Sequence, residues 1–196
     1  MDEEEKTLPE EEQQLTPVGK FFHQYGYLVI TALVVLVLFR GVFNLAYVPT
    51  SSMEPTLPVK SLFLSLRLPW LVADPEPDQG DIMMFYSQEY DQILVKRVIG
   101  LPGQTVTFAG GAVFIDGTLL EEDYLPAGTK TWPGTSGSSF TVPEGTVLLM
   151  GDNRGNSLDS RYWENPFIPL SDLRGKALVA VSVKPGSSWQ GIHGLL

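Results

Sequence analysis

Three segments hold the residues that could do chemistry: VPTSSMEPTL at 48–57, QILVKRVIG at 92–100 and GDNRGNSLDSR at 151–161. Lys96 stands inside the second. Two-residue alternation puts it on one face with Leu94 and Val98, and puts Val95, Arg97 and Ile99 on the other. An amine among apolar neighbours loses hydration, which disfavours the ammonium form, lowers the pKa and makes a lysine a general base near neutral pH. Read alone, a strand lysine can equally reach solvent along its stem or pair with an acid. Ser52 lies between Pro49 and Pro55, whose fixed φ restricts the loop and presents the hydroxyl at a defined angle; by itself the segment is also an ordinary turn. In the third segment Gly, Asp, Asn and Ser suit a tight loop with side-chain to backbone hydrogen bonds. Asp159 and Arg161 can pair there, and Ser157 can bond a catalytic group.

The rest of the composition removes the competing chemistries. The chain has no cysteine, hence no disulfide, thiolate nucleophile or Cys-type zinc site, and its two histidines, His23 and His193, lie at opposite ends. The acids of the later part are scattered in turns, and GDNRGNSLDS has too few ligands for a calcium loop. No metal is expected. A hydrolase built from this inventory is left with serine and lysine. The net charge of −10 argues against nucleic acid, and half of it belongs to residues 1–20, which carry seven acids and two lysines.

These segments must be positioned by a chain in three parts. Residues 1–20 are polar, with two prolines and no apolar periodicity, and predict a disordered acidic tail. Phe21–Phe39 has 19 residues without a formal charge when His23 is neutral. At 1.5 Å per residue it extends about 28 Å, the thickness of a bilayer's hydrocarbon core. A cleaved signal peptide and a buried core helix compete with a membrane span. The run starts behind the acidic tail, however, and no small-x-small cleavage site follows, so a single uncleaved span is expected, with Tyr25 and Tyr27 at one interface and Arg40 at the other. Lys6 and Lys20 on one side balance Arg40 and Lys60 on the other, so charge leaves the orientation tied.

Beyond residue 45, short runs of β-branched and aromatic residues alternate with Gly, Pro and Asp turns, which predicts a mainly β, antiparallel domain. Short helical turns are expected only from Thr56 onward and at Pro169–Leu173, and residues 126–139 predict a long flexible loop. The apolar stretches GVFNLAYVPTSSM and LFLSLRLPWLV, the latter with Trp70, fit a surface resting on lipid or ordinary core strands equally well.

VPTSSMEPTL, GDIMMF, VKRVIGLPG and MGDNRGNSLDSRYW, in that order behind an apolar span, resemble the type I signal peptidases from about Arg40 to Val183. These are membrane-anchored Ser-Lys proteases that remove signal peptides from exported preproteins. The resemblance implies that Ser52 is the nucleophile and Lys96 the general base, that Ser157 orients the lysine, and that Asp159 and Arg161 form a supporting ion pair. It places the oxyanion hole at the Ser52 N–H and the Thr50 hydroxyl. Val48, Pro49, Met53, Leu57, Leu94 and Val95 would contribute to substrate binding, in shallow apolar subsites selecting Ala-x-Ala.

The same resemblance implies no cofactor, and as partners preprotein signal peptides and the lipid bilayer, without nucleic acid, for a monomer. It resolves the orientation: a single-pass protein of the cell membrane, with tail 1–20 cytoplasmic, span 21–39, and an extracytoplasmic catalytic domain 40–196 carrying a small β-lobe around 105–147. Thr50-Ser51 replaces the family's more frequent Ser-Gly, Gly155 its Asp or Asn, and Gln104 its Asp; none removes a catalytic role. A self-cleaving repressor-type protease shares the Ser-Lys core but would need a DNA-binding domain. A membrane-anchored β-domain that binds signal peptides or partner proteins without cleaving them has no need of Ser52, Lys96 and Ser157 together.

Overall fold

The computed structural model describes residues 16–73, 76–181 and 192–195. Most of the expected tail, residues 1–15, lies outside them. The chain divides into two compact units, up to Gly41 and from Val42 onward.

The first unit is a helix, α1 (Pro17–Val37), continued by a π-helical turn at Leu38–Val42. It starts before Phe21 because Thr16 caps it: Thr16 Oγ1 accepts the Gly19 N–H at 3.2 Å, and Pro17 sits in the first turn, where its missing N–H costs nothing. Pro17–Val42 is long and apolar enough to cross a membrane, and none of it is buried in protein.

Among the described residues, the strands of the second unit all pair antiparallel. One sheet has the order β1 (Phe43–Tyr47), β2 (Leu62–Leu66), β11 (Leu173–Val181), β3 (Ile82–Ser87), β4 (Gln92–Gly100), β9 (Thr146–Met150) and β10 (Phe167–Pro169), with β12 (Ile192–Gly194) also paired to β11. The other is a four-stranded sheet in the order β7 (Thr118–Leu119), β6 (Ala112–Ile115), β5 (Thr105–Ala109) and β8 (Ser139–Thr141). The mainly antiparallel β class with one N-terminal apolar helix is the one the alternation pattern predicts. Ile99, Leu148 and Met150 of the large sheet share one core with Val106, Phe108, Val113 and Phe140 of the small one. Their approach is close at Gly100, where a Cβ would stand 2.5 Å from Val106.

Two local features differ from expectation. LFLSLRLPWLV is not one apolar run but β2 followed by a short helix, α2 (Leu68–Val72), because Pro69 fits a first helical turn and not a central strand. The loop 126–139 is irregular yet anchored: Thr131 is buried, the Ser136 N–H donates to the Arg161 carbonyl at 2.9 Å, and Ser136 Oγ donates to the Trp163 carbonyl at 2.7 Å. Elsewhere the helical turns fall near their expected places, a single turn closed by the Leu57 N–H on the Met53 carbonyl and a 3-10 turn at Leu170–Asp172.

Candidate active site

β4 is hydrogen-bonded along both edges, with Met83 of β3 opposite Lys96 and Met150 of β9 opposite Arg97. Side chains on such a strand are fixed by packing on both sides, and Lys96 is only 3% exposed. The turn after β1 carries Ser52. It is closed by the Glu54 N–H on the Ser51 carbonyl, and Met53, fully buried, pins it to the core. The loop after β9 then ties to this turn: the Asn153 N–H donates to the Ser52 carbonyl at 3.1 Å, Asn153 Nδ2 to the Ser51 carbonyl at 3.0 Å, and Asn156 Nδ2 to Ser51 Oγ at 3.0 Å.

Within this frame Lys96 Nζ lies in hydrogen-bond contact with Ser52 Oγ, donating at 2.7 Å. Burial pushes the lysine pKa down from 10.5 to about 8; Asp159 and Asp152 oppose the shift and Arg161 adds to it. A neutral fraction therefore exists near physiological pH, and the same separation lets Ser52 Oγ–H donate to the neutral amine. An amine so placed can take the proton of a hydroxyl nucleophile. Thr50 Oγ1 is 3.3 Å from Ser52 Oγ, on the same turn.

Of the residues expected to support the pair, Asp159 and Arg161 are almost fully buried and doubly bonded, Arg161 Nε to Oδ1 at 2.8 Å and Nη2 to Oδ2 at 2.9 Å. Asp159 Oδ2 also accepts the Gly151 N–H at 3.0 Å, so the pair fixes the start of the loop. Ser157 Oγ is buried and makes no hydrogen bond among the described residues; the expected contact to the lysine is not formed. It packs against Gly151, at a point where a Cβ would meet both Ser157 Oγ and the Ser52 carbonyl.

Beside Ser52 and Lys96 opens a cavity of about 150 Å³ whose wall includes Val48, Pro49, Leu94, Val95, Ala46 and Phe63. Met53 and Leu57 have no exposed surface; they lie in the same core cluster as Val48 and Phe63 and back the wall instead of lining it. A second cavity of about 320 Å³ also reaches Ser52 and Lys96 and is bounded by Tyr90, Asn156 and Leu158. Among the described residues no group of three His, Cys, Asp or Glu is placed to hold a metal.

Sequence reasoning passes over one prominent feature. Arg97 Nε and Nη2 donate to Asp152 at 2.8 and 2.6 Å, and Thr56 Oγ1 donates to the same carboxylate at 2.5 Å. The available signal is an arginine inside one apolar run and an aspartate at the end of another, each costly to bury unless paired.

Comparison with known proteins adds a family context. A family model described as "Signal peptidase, peptidase S26" matches residues 22–182. The chain is similar to a probable signal peptidase I-2 of Synechocystis, with 34% identity over 171 residues, covering 84% of this chain and 75% of that one. It is 34% identical over 182 residues to a signal peptidase I of Pseudomonas aeruginosa, covering 72% and 62% respectively. A signal peptidase I of Bacillus amyloliquefaciens is 33% identical over 170 residues, covering 82% and 85%. Among solved structures, a signal peptidase I of Enterococcus faecalis aligns with a TM-score of 0.45 and 33% identity, covering 52% of this chain and 97% of that one.

Proposed function

The chain belongs to the signal peptidase family, peptidase S26, as a serine protease, and we propose that it cleaves N-terminal signal peptides from exported preproteins with Ser52 as nucleophile and Lys96 as general base. The observation that carries this reading is the 2.7 Å contact between Lys96 Nζ and Ser52 Oγ, made by a lysine whose burial lowers its pKa to about 8. Neutral Lys96 takes the Ser52 proton and Oγ attacks the scissile carbonyl. The tetrahedral intermediate collapses to an acyl-enzyme, the leaving amine receiving the proton from Lys96. The same lysine then deprotonates a water that releases the acyl group. The Ser52 N–H and the Thr50 hydroxyl stabilise the oxyanion, a term typically worth ~10²- to 10³-fold per donor. The Asp159–Arg161 pair, through the Gly151 N–H, holds the start of the loop that lies against the Ser52 turn.

Specificity for Ala-x-Ala is supported by the cavity beside Ser52. Its apolar wall of Val48, Pro49, Leu94 and Val95, backed by Met53 and Leu57, encloses about 150 Å³, room for small side chains. The protein works on this reading as a monomer without cofactor, spanning the cell membrane once through residues 21–39. Its acidic tail 1–20 is cytoplasmic, and domain 40–196, with the small lobe around 105–147, is extracytoplasmic.

Contact with lipid is supported by β1 and β2. Their register sets Phe43, Leu45 and Tyr47 opposite Leu66, Leu64 and Leu62, six apolar residues on one face, of which Leu45 and Tyr47 are more than half exposed.

The test is incubation of the purified protein with an Ala-x-Ala preprotein and sequencing of the new N-terminus. A single product starting after the second alanine is expected; no cleavage, or cleavage elsewhere, overturns the reading.

A further inference from the structure

Between β7 and β8 the chain runs through Glu122, Asp123 and Tyr124, none of which lines either cavity at Ser52. Two of them nevertheless contact Arg154 of the 151–157 loop and Arg97, which pairs with that loop's Asp152. The Tyr124 ring lies under the Arg97 guanidinium, 3.8 Å from its centre, a favourable cation–π geometry. Glu122 accepts both terminal nitrogens of Arg154, Nη1 at 3.1 Å on one oxygen and Nη2 on the other, while Tyr124 Oη donates to Glu122 Oε1 at 2.7 Å. Arg154 is completed by Thr131 Oγ1, at 2.7 Å from Nη1, and by the Gly151 carbonyl, at 3.0 Å from Nε.

Along the loop successive residues take different partners. Asp152 and Arg154, both buried, pair with Arg97 and Glu122, whereas Asn153 between them bonds to Ser51 and Ser52. The loop is therefore gripped on one side by the small sheet's connection and on the other holds the serine turn. We propose that Glu122 and Tyr124 form a positioning strap, setting the 151–154 loop through Arg154 and Arg97 and thereby the orientation of Ser52 toward Lys96. The strap rests on the Ser52–Lys96 reading above and touches no reacting atom itself. It gives the small β-sheet a role in turnover as well as in stability.

A readout beyond folding separates positioning from stability. The strap variants keep the cavity walls that receive substrate, so a misplaced serine turn lowers kcat and leaves KM little changed, and restoring the ring with Phe at 124 restores turnover.

The experiment measures kcat and KM of preprotein cleavage per folded enzyme in detergent, for the full chain and for Tyr124→Ala, Tyr124→Phe and Glu122→Gln. Glu121→Gln, an exposed neighbour, and Ser52→Ala are run beside them. Tyr124→Ala and Glu122→Gln should each lower kcat about 10-fold or more with KM within about threefold, since a small misplacement of reacting groups has that effect. Tyr124→Phe should keep most of the activity because it keeps the ring, and Glu121→Gln should match wild type. Glu122→Gln carries the test if Tyr124→Ala does not fold. Wild-type kcat in either strap variant, a loss carried by KM, or a Tyr124→Phe as slow as Tyr124→Ala overturns the strap while an inactive Ser52→Ala leaves the Ser52–Lys96 reading standing. An active Ser52→Ala overturns that reading and the strap with it.

Discussion

Gly151 and Ser157 approach so closely that no side chain fits between them: a Cβ on Gly151 would collide with Ser157 Oγ and with the Ser52 carbonyl. Glycine is required here by space, whereas Gly155, four residues on, has nothing within 4 Å of its Cβ position. Gly151→Ala should therefore displace the serine turn, destabilise the fold by about 1–3 kcal/mol through overpacking and lower kcat sharply. Gly155→Ala should leave both nearly unchanged. Melting curves and turnover of the two variants check this; equal behaviour would show that the contact does not constrain the site.

Lys96 should cost the protein stability. Its folded pKa of about 8 lies below the ordinary 10.5, so below pH 8 it is charged in both states and the folded state bears the full desolvation cost. Stability should rise as the pH increases from about 8 to 10.5, where the unfolded chain binds the extra proton. Lys96→Met should raise stability near neutral pH by about 3 kcal/mol while abolishing cleavage. Denaturant unfolding at pH 7 and 10 checks it; the gain should be largest at pH 7.

Asp159→Asn tests the buried pair. Arg161 would be left buried without a counter-ion, at a cost of about 3–5 kcal/mol. Because the Asp159 charge raises the Lys96 pKa and Arg161 lowers it, the substitution should move the acidic limb of kcat/KM to lower pH. A limb that moves upward would contradict this electrostatic assignment.

Thr50→Val keeps shape and removes the hydroxyl 3.3 Å from Ser52 Oγ. If that hydroxyl serves the oxyanion, kcat should fall by ~10²- to 10³-fold with KM little changed. Steady-state kinetics decide it, and an unchanged kcat removes Thr50 from the oxyanion hole.

Local pattern made the β class, the apolar helix and the chemically interesting segments legible. Lys96 stands out because a charge interrupts the alternation of QILVKRVIG, and Ser52 because two prolines bracket it. The start of the helix at Pro17 was also written in the chain, as a threonine followed by proline. Long-range pairing is different in kind. Nothing in the spacing of Arg97, Asp152, Glu122 and Arg154 says which acid meets which base, since sheet topology brings them together. The loop 126–139 has the Gly, Ser and Pro composition of a free segment, but its anchors are backbone carbonyls of Arg161 and Trp163, which carry no sequence signature. Ser157 is the reverse case, a residue that the motif singles out and that the structure leaves buried without a hydrogen-bond partner among the described residues.

The central claim is that a buried neutral lysine activates Ser52, and the pH profile of kcat/KM for preprotein cleavage tests it most directly. A base must be unprotonated to act, so the rate should rise with unit slope below the Lys96 pKa and level off above about pH 8, with Ser52→Ala and Lys96→Met inactive throughout. A profile flat from pH 5 to 9, or activity surviving in Lys96→Met, would contradict the account.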